Sequence, residues 1–132
     1  MRPRLMLALA LTAALAATTG ASAASEKKKG GGESYLQFPT MTATLNISGG
    51  RRGVLTVETG LDVPDGGLRA RADSLQPRLR DAYLRYLLTY AASLSPGVLP
   101  NPDSISLSLQ RATDEVLGKP GAKLLLGTVM EN

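Results

Sequence analysis

Few residues in this chain can do chemistry. Its 132 residues include no histidine and no cysteine. Without imidazole or thiolate, the common zinc, copper and haem sites lack their ligands. Every nucleophile that relies on a histidine base is excluded as well. Ser-Lys chemistry or a pair of carboxylates remains. Serines occur at Ser93, Ser95, Ser104, Ser106 and Ser108, and lysines at Lys119 and Lys123, in no recognisable nucleophile spacing. Serines near helix ends and loops more often act as caps. Asp62 and Asp65 flank a turn, and Asp114 and Glu115 are neighbours. Neither pair offers the alternating oxygen ligands of a calcium loop. The segment GKPG at 118–121 lacks the glycine spacing and the hydroxyl of a phosphate loop. We therefore expect no enzymatic activity, no cofactor and no metal.

Binding through charge is the next possibility. The formal net charge is +4, yet from Glu33 onward ten Arg/Lys stand against ten Asp/Glu. A domain that grips nucleic acid carries its excess positive charge on the folded body, so no nucleic-acid partner is expected. The candidate interaction residues are Lys27, Lys28 and Lys29 in a linker, Arg51 and Arg52 in a glycine turn, and Arg80 on a long helix. The linker lysines are expected in a solvated spacer. Each would also be worth about 1 kcal/mol beside anionic headgroups, which makes peripheral membrane contact a second expectation.

The elements that position these residues follow from periodicity. Leu75, Leu79, Ala82, Tyr83, Tyr86, Leu87 and Tyr90 recur at helical spacing and form one apolar stripe. Arg78, Asp81 and Arg85 fall opposite, with Asp81 four residues before Arg85, the favoured order for a helical ion pair; Arg78 is also within reach of Asp81. The segment PRLRDAYLRYLLTY at 77–90 thus predicts a core helix with inward tyrosines, opened by Pro77 and leaving Arg80 free for a partner.

Met41, Ala43, Leu45 and Ile47 alternate with Thr40, Thr42, Thr44 and Asn46, which predicts a half-buried strand. Pro39 is expected at its start. Leu55, Val57, Leu61 and Val63 form the inner row of a second strand, and the segment SGGRRG between the two predicts an antiparallel hairpin. The stretch LRARADSLQ suggests a short helical turn. Residues 104–110 alternate like a strand, but Asn101, Pro102 and Asp103 resemble a cap, a first residue and an acidic first turn. They predict a helix over 102–117, stopped by Gly118. The segment at 122–131 predicts a last strand with Leu124, Leu126 and Met130 on one face and Leu125 and Val129 on the other. That pattern fits a strand covered on both faces or one in an oligomer contact. The expected fold is α+β, in the order β-β-α-α-β: a small mixed sheet of a hairpin plus the C-terminal strand, with helices packed on one face.

Residues 1–24 have a positive start, an apolar run from Leu5 to Ala17, and small residues at Ala21, Ser22, Ala23 and Ala24 around a cleavage region. These are the three parts of a secretory signal peptide. A flexible Lys/Gly linker over 25–34 and a domain over 35–132 would follow. The expected location is periplasmic or secreted, with an inner-membrane form held by an uncleaved leader as the runner-up. The absence of cysteine excludes disulfides and a lipid-modified N-terminal cysteine.

Read in order, YLQFPTMTATLNIS, RRGVLTVETGLDV, LQPRLRDAYLRYL, a helix ending in VLG, and LLLGTVMEN resemble the periplasmic domain of the flagellar basal body-associated FliL family. The matching positions are Leu45 and Asn46, Leu55 and Val57, Pro77 with Arg80 and Asp81, and Val129 with Met130. The resemblance covers residues 35–132. It implies a domain similar to the stomatin-like SPFH fold, without catalytic residues. It also implies an envelope protein that acts by contact, as members forming rings around the flagellar stator do. This chain differs from the family in having a signal peptide where FliL-type proteins keep a transmembrane anchor. The leading expectation is an exported, non-enzymatic scaffold or protein-interaction domain with a protein partner or self-association in the envelope. The alternative is a module that binds lipid or an anionic envelope polymer through Lys27, Lys28, Lys29, Arg51 and Arg52.

Overall fold

The computed structural model describes residues 32–132. The expected signal peptide and Lys27, Lys28 and Lys29 lie outside the described residues. The fold is α+β, with four strands in one antiparallel sheet and three helices. The strands are β1 (Tyr35–Gln37), β2 (Met41–Ile47), β3 (Arg51–Asp62) and β4 (Lys123–Glu131). The helices α1 (Gly66–Ser74), α2 (Gln76–Ser93) and α3 (Pro102–Leu117) separate β3 from β4.

β3 is the central strand. β4 occupies one of its edges and pairs Leu55 with Glu131 at one end and Asp62 with Lys123 at the other. β2 and β1 share the other edge, with Met41 opposite Val57 and Gln37 opposite Gly60. They are one strand interrupted at Pro39, whose missing N–H cannot join a ladder. The strand therefore begins before Pro39 and not at it. Phe38 continues the pairing by donating its N–H to the Thr59 carbonyl at 3.1 Å.

Each edge strand holds one surplus residue at the same level of β3. Pro39 and Thr40 together oppose Glu58 on one side, and Gly127 and Thr128 oppose it on the other. A bulge of this kind makes two residues share one position and steepens the local twist. It also shifts the numbering of the inner face. Leu36 and Phe38 face inward before the first bulge, and Met41, Ala43 and Leu45 after it. On β4 the inward set is Leu124 and Leu126, then Val129. Strict alternation puts Met130 on one face with Leu124 and Leu126 and Val129 on the other; the bulge exchanges the two, and Met130 lies 48% exposed. Gly127 fits the crowded position, because a Cβ there would approach the Glu58 Cβ to 3.2 Å.

α2 and α3 cover the inner face, and α1 packs against both of them. α2 packs over β2 and α3 over β4, and the two helices pack on each other. Leu79, Tyr83, Leu87 and Ala91 form the buried stripe of α2, and Ile105, Leu109, Thr113 and Leu117 that of α3. Residues 104–110 are thus helical. Asn101 caps α3 by accepting from the N–H groups of Asp103 and Ser104, and Gly118 ends it in the left-handed region (φ 79°). The short turn expected after β3 is a full helix, α1, capped by Asp65. Arg71 of α1 donates to the Leu117 carbonyl at 3.0 Å, so a cation sits at the negative end of α3. Phe38 meets Tyr83 edge to face at 5.4 Å and ties the interrupted strand to α2.

Candidate functional site

The basic residues singled out in the sequence do not converge. Arg51 and Arg52 lie in β3 and not in the turn, paired with Ile47 and Asn46. Gly49 (φ 82°) and Gly50 (φ 73°) take up the left-handed geometry, so the chain reverses within Ser48–Gly50 and the arginines are already extended. Both are exposed. Arg80 is exposed at the start of α2, where it borders a groove of about 210 Å³ with Phe38, Pro39, Gln76 and Pro77. That groove adjoins the start of β2, and the arginine pair adjoins its far end. Seven residues of strand separate them, about 20 Å at the usual rise per residue.

A second groove of about 460 Å³ lies between α2 and Val116 of α3, lined by Pro77, Arg78, Asp81, Ala82 and Arg85. Arg85 Nε meets Asp81 Oδ2 at 3.0 Å, the one ion pair among the described residues. Both partners are exposed, so the contact contributes little. The anticipated Arg78–Asp81 pair does not form. Tyr83 is buried, whereas Tyr86 and Tyr90 are half-buried and stacked on each other at 5.7 Å.

Several of the hydroxyls and carboxylates that could have served chemistry have structural partners. Ser93 donates to the Tyr90 carbonyl at 2.7 Å. Asp62 accepts from Ser34 at 2.6 Å, and Asp65 from the Leu68 N–H at 2.7 Å. Among the described residues, no group of three or more acidic side chains is placed to hold a metal ion. No helix among them is long and apolar enough to cross a membrane.

β2 and β4 both leave an outer edge open, and the β4 edge is the one that α3 partly closes. The Asn132 and Val54 backbones exchange two hydrogen bonds, at 2.8 and 3.1 Å. Alternation from that pair turns the backbone groups of Val129 and Glu131 away from β3. At the other end, Gln110 of α3 acts as a short piece of neighbouring strand. Its Oε1 accepts from the Leu124 N–H at 2.8 Å, and its Nε2 donates to the Ala122 carbonyl at 2.8 Å. Nε2 also donates to Asp114 Oδ1 at 3.1 Å, which fixes the amide orientation. Beyond that clip, the outward groups of Leu126, Val129 and Glu131 have no partner among the described residues. The Glu131 Oε2 atom is buried without a hydrogen bond.

No pattern in the chain marks Gln110, because its partners are set by how α3 folds back on β4. Val98 and Leu99 were also missed. They are 51% and 77% exposed in the loop between α2 and α3. Their signal was available: an apolar pair between Gly97 and Pro100, outside any periodic segment.

Fold and surface together define a small α+β domain with a one-sided antiparallel sheet and a partly open edge. Among known proteins, the chain matches no family model and no curated sequence.

Proposed function

We propose that the chain is an exported, non-enzymatic scaffold or protein-interaction domain of the cell envelope, of the kind that FliL-like periplasmic domains represent. The observation that supports this reading is the outer edge of β4. A strand rich in Leu, with unpaired backbone groups from Leu126 to Glu131, is a template for an added strand. Only its first residues are closed by Gln110. Main-chain pairing would supply affinity there, and the exposed Met130 would add contact area.

Photoreactive side chains placed at Thr128 and Met130, with Thr44 on the opposite edge as a control, test the reading in intact cells. The expected result is a discrete adduct, to a second copy or to an envelope protein, at the β4 positions alone. Adducts at no position, or equally at Thr44, would remove the basis of this proposal.

A further inference from the structure

The hairpin tip and the loop between α2 and α3 form one end of the domain. Gly97 packs so closely on Ser48 that an added Cβ would lie 2.7 Å from the Ser48 Oγ. The loop is held in place. Val98 donates its N–H to the Ser95 carbonyl at 3.0 Å, and Gly97 adopts a φ of 82°. At the far side of the loop, the Asn101 N–H donates to the Tyr90 hydroxyl at 2.8 Å. From this fixed loop Val98 and Leu99 project into solvent, Leu99 being 77% exposed. Arg51 and Arg52 leave the same tip just beyond Gly50 and are exposed too. No acidic residue occurs from Thr44 to Val54 or from Ala91 to Pro102. Asp103 lies in the first turn of α3, and Glu131 ends β4.

We propose that this end of the domain docks on an anionic lipid surface, independently of the β4 edge. Two apolar side chains on a fixed loop can enter the headgroup boundary, where their burial is favourable. The Arg51 guanidinium, on the helix side of the sheet, and the Arg52 guanidinium, on its other side, flank this tip and can meet phosphates there. Neither half suffices alone: the apolar pair is small, and two arginines on a nearly neutral body attract weakly. Their juxtaposition favours a charged, layered surface over a soluble polyanion, which offers Leu99 no apolar phase.

The absence of cysteine from the chain makes the test direct. A Leu99→Cys variant carrying an environment-sensitive fluorophore reads water exclusion at the tip itself. A labelled Leu107→Cys variant, on an α3 position 62% exposed, serves as the reference. Vesicles of equal parts phosphatidylglycerol and phosphatidylcholine should shift the emission of the Leu99 label to the blue and leave the Leu107 label unchanged. Arg51→Gln and Arg52→Gln should each weaken the apparent affinity about fivefold, and a Val98→Asp change should abolish the shift. All of these positions are exposed, and an unchanged circular dichroism spectrum verifies folding. No shift at Leu99, an equal shift at Leu107, an equal response to pure phosphatidylcholine, or an equal response to dextran sulfate would overturn the proposal.

Discussion

The Tyr83 hydroxyl lies 2.5 Å from the Thr113 hydroxyl, buried between α2 and α3. Thr113 donates its own proton to the Leu109 carbonyl at 2.8 Å, so Tyr83 is the donor to the Thr113 oxygen. The two helices that cover the sheet are thus joined by a directed polar bond inside an apolar layer. Removing either end has unequal consequences. Tyr83→Phe leaves an acceptor whose proton is still bonded and should cost about 1 kcal/mol. Thr113→Val strands a buried donor and should cost about 1–3 kcal/mol. The double variant should lose less than the sum of the two. Urea denaturation of all four proteins measures this coupling.

Alkali should weaken the same contact. Burial pushes the Tyr83 phenol from 10.0 up to about 12, the Thr113 hydrogen bond opposing the rise and Asp114 adding to it. A pKa that is higher in the folded state gives stability that is complete below the unfolded value and lost as pH rises through the folded one. The window therefore runs from pH 10 to pH 12. The loss across it is on the order of 2–3 kcal/mol. The urea midpoint should fall over this range in the parent protein and fall less in Tyr83→Phe. Equal slopes would assign the alkaline loss to other groups.

Thr59 presents a simpler case. It faces the core between Val57 and Leu61, and its Oγ1 has no hydrogen-bond partner among the described residues. Thr59→Val keeps the shape and removes the unpaired hydroxyl. It should raise stability by about 1 kcal/mol, seen as a higher urea midpoint with an unchanged slope.

The Gln110 clip can be opened without disturbing the core. Gln110→Leu leaves the Leu124 N–H and the Ala122 carbonyl exposed at the edge. The expected results are faster amide exchange at Leu124, a loss of about 1 kcal/mol, and more concentration-dependent association in sedimentation. Gln110→Glu should keep an acceptor for the Leu124 N–H while losing the donor to both Ala122 and Asp114 and setting two carboxylates side by side, so exchange at Leu124 should stay slower than in Gln110→Leu although stability falls.

Deletions distinguish a bulge from a regular strand. Removing Thr128 leaves Gly127 alone opposite Glu58 and keeps Leu126 and Val129 on the inner face. That variant should fold with a modest loss of thermal stability. Removing Thr44, inside the regular ladder between β2 and β3, carries the residues on one side of it to the wrong face. That variant should fail to give a cooperative thermal transition.

Some of this architecture can be read from the chain because local chemistry decides it. The i, i+4 row of Leu79, Tyr83 and Leu87 can be buried only as a helix, and the side chain of Asn101 supplies the cap of α3 wherever that helix packs. The strand-like alternation of residues 104–110 loses to that cap, since the buried row of α3 runs on to Leu117. The bulges are only half legible. Gly127 and Pro39 mark sites where a ladder can break, but the surplus residue is defined by the register with β3, which no single segment encodes. The candidate surface is less legible still. Arg51, Arg52 and Arg80 were identifiable as free charges, yet their separation along β2 depends on how α2 lies over the sheet. Gln110 becomes informative only when β4 is present beside it.

The position of β4 also affects how fast the sheet can be built. β2 and β3 are joined by three residues, so their pairing closes a very short loop. Leu61 and Leu124 face each other although they stand 63 positions apart in the chain, and joining them carries a much larger entropy cost. Such long-range pairing slows the approach to the native state. The hairpin can therefore form early, whereas the arrival of β4 sets the pace, and until then β3 keeps a bare flank on which a stray strand could seat.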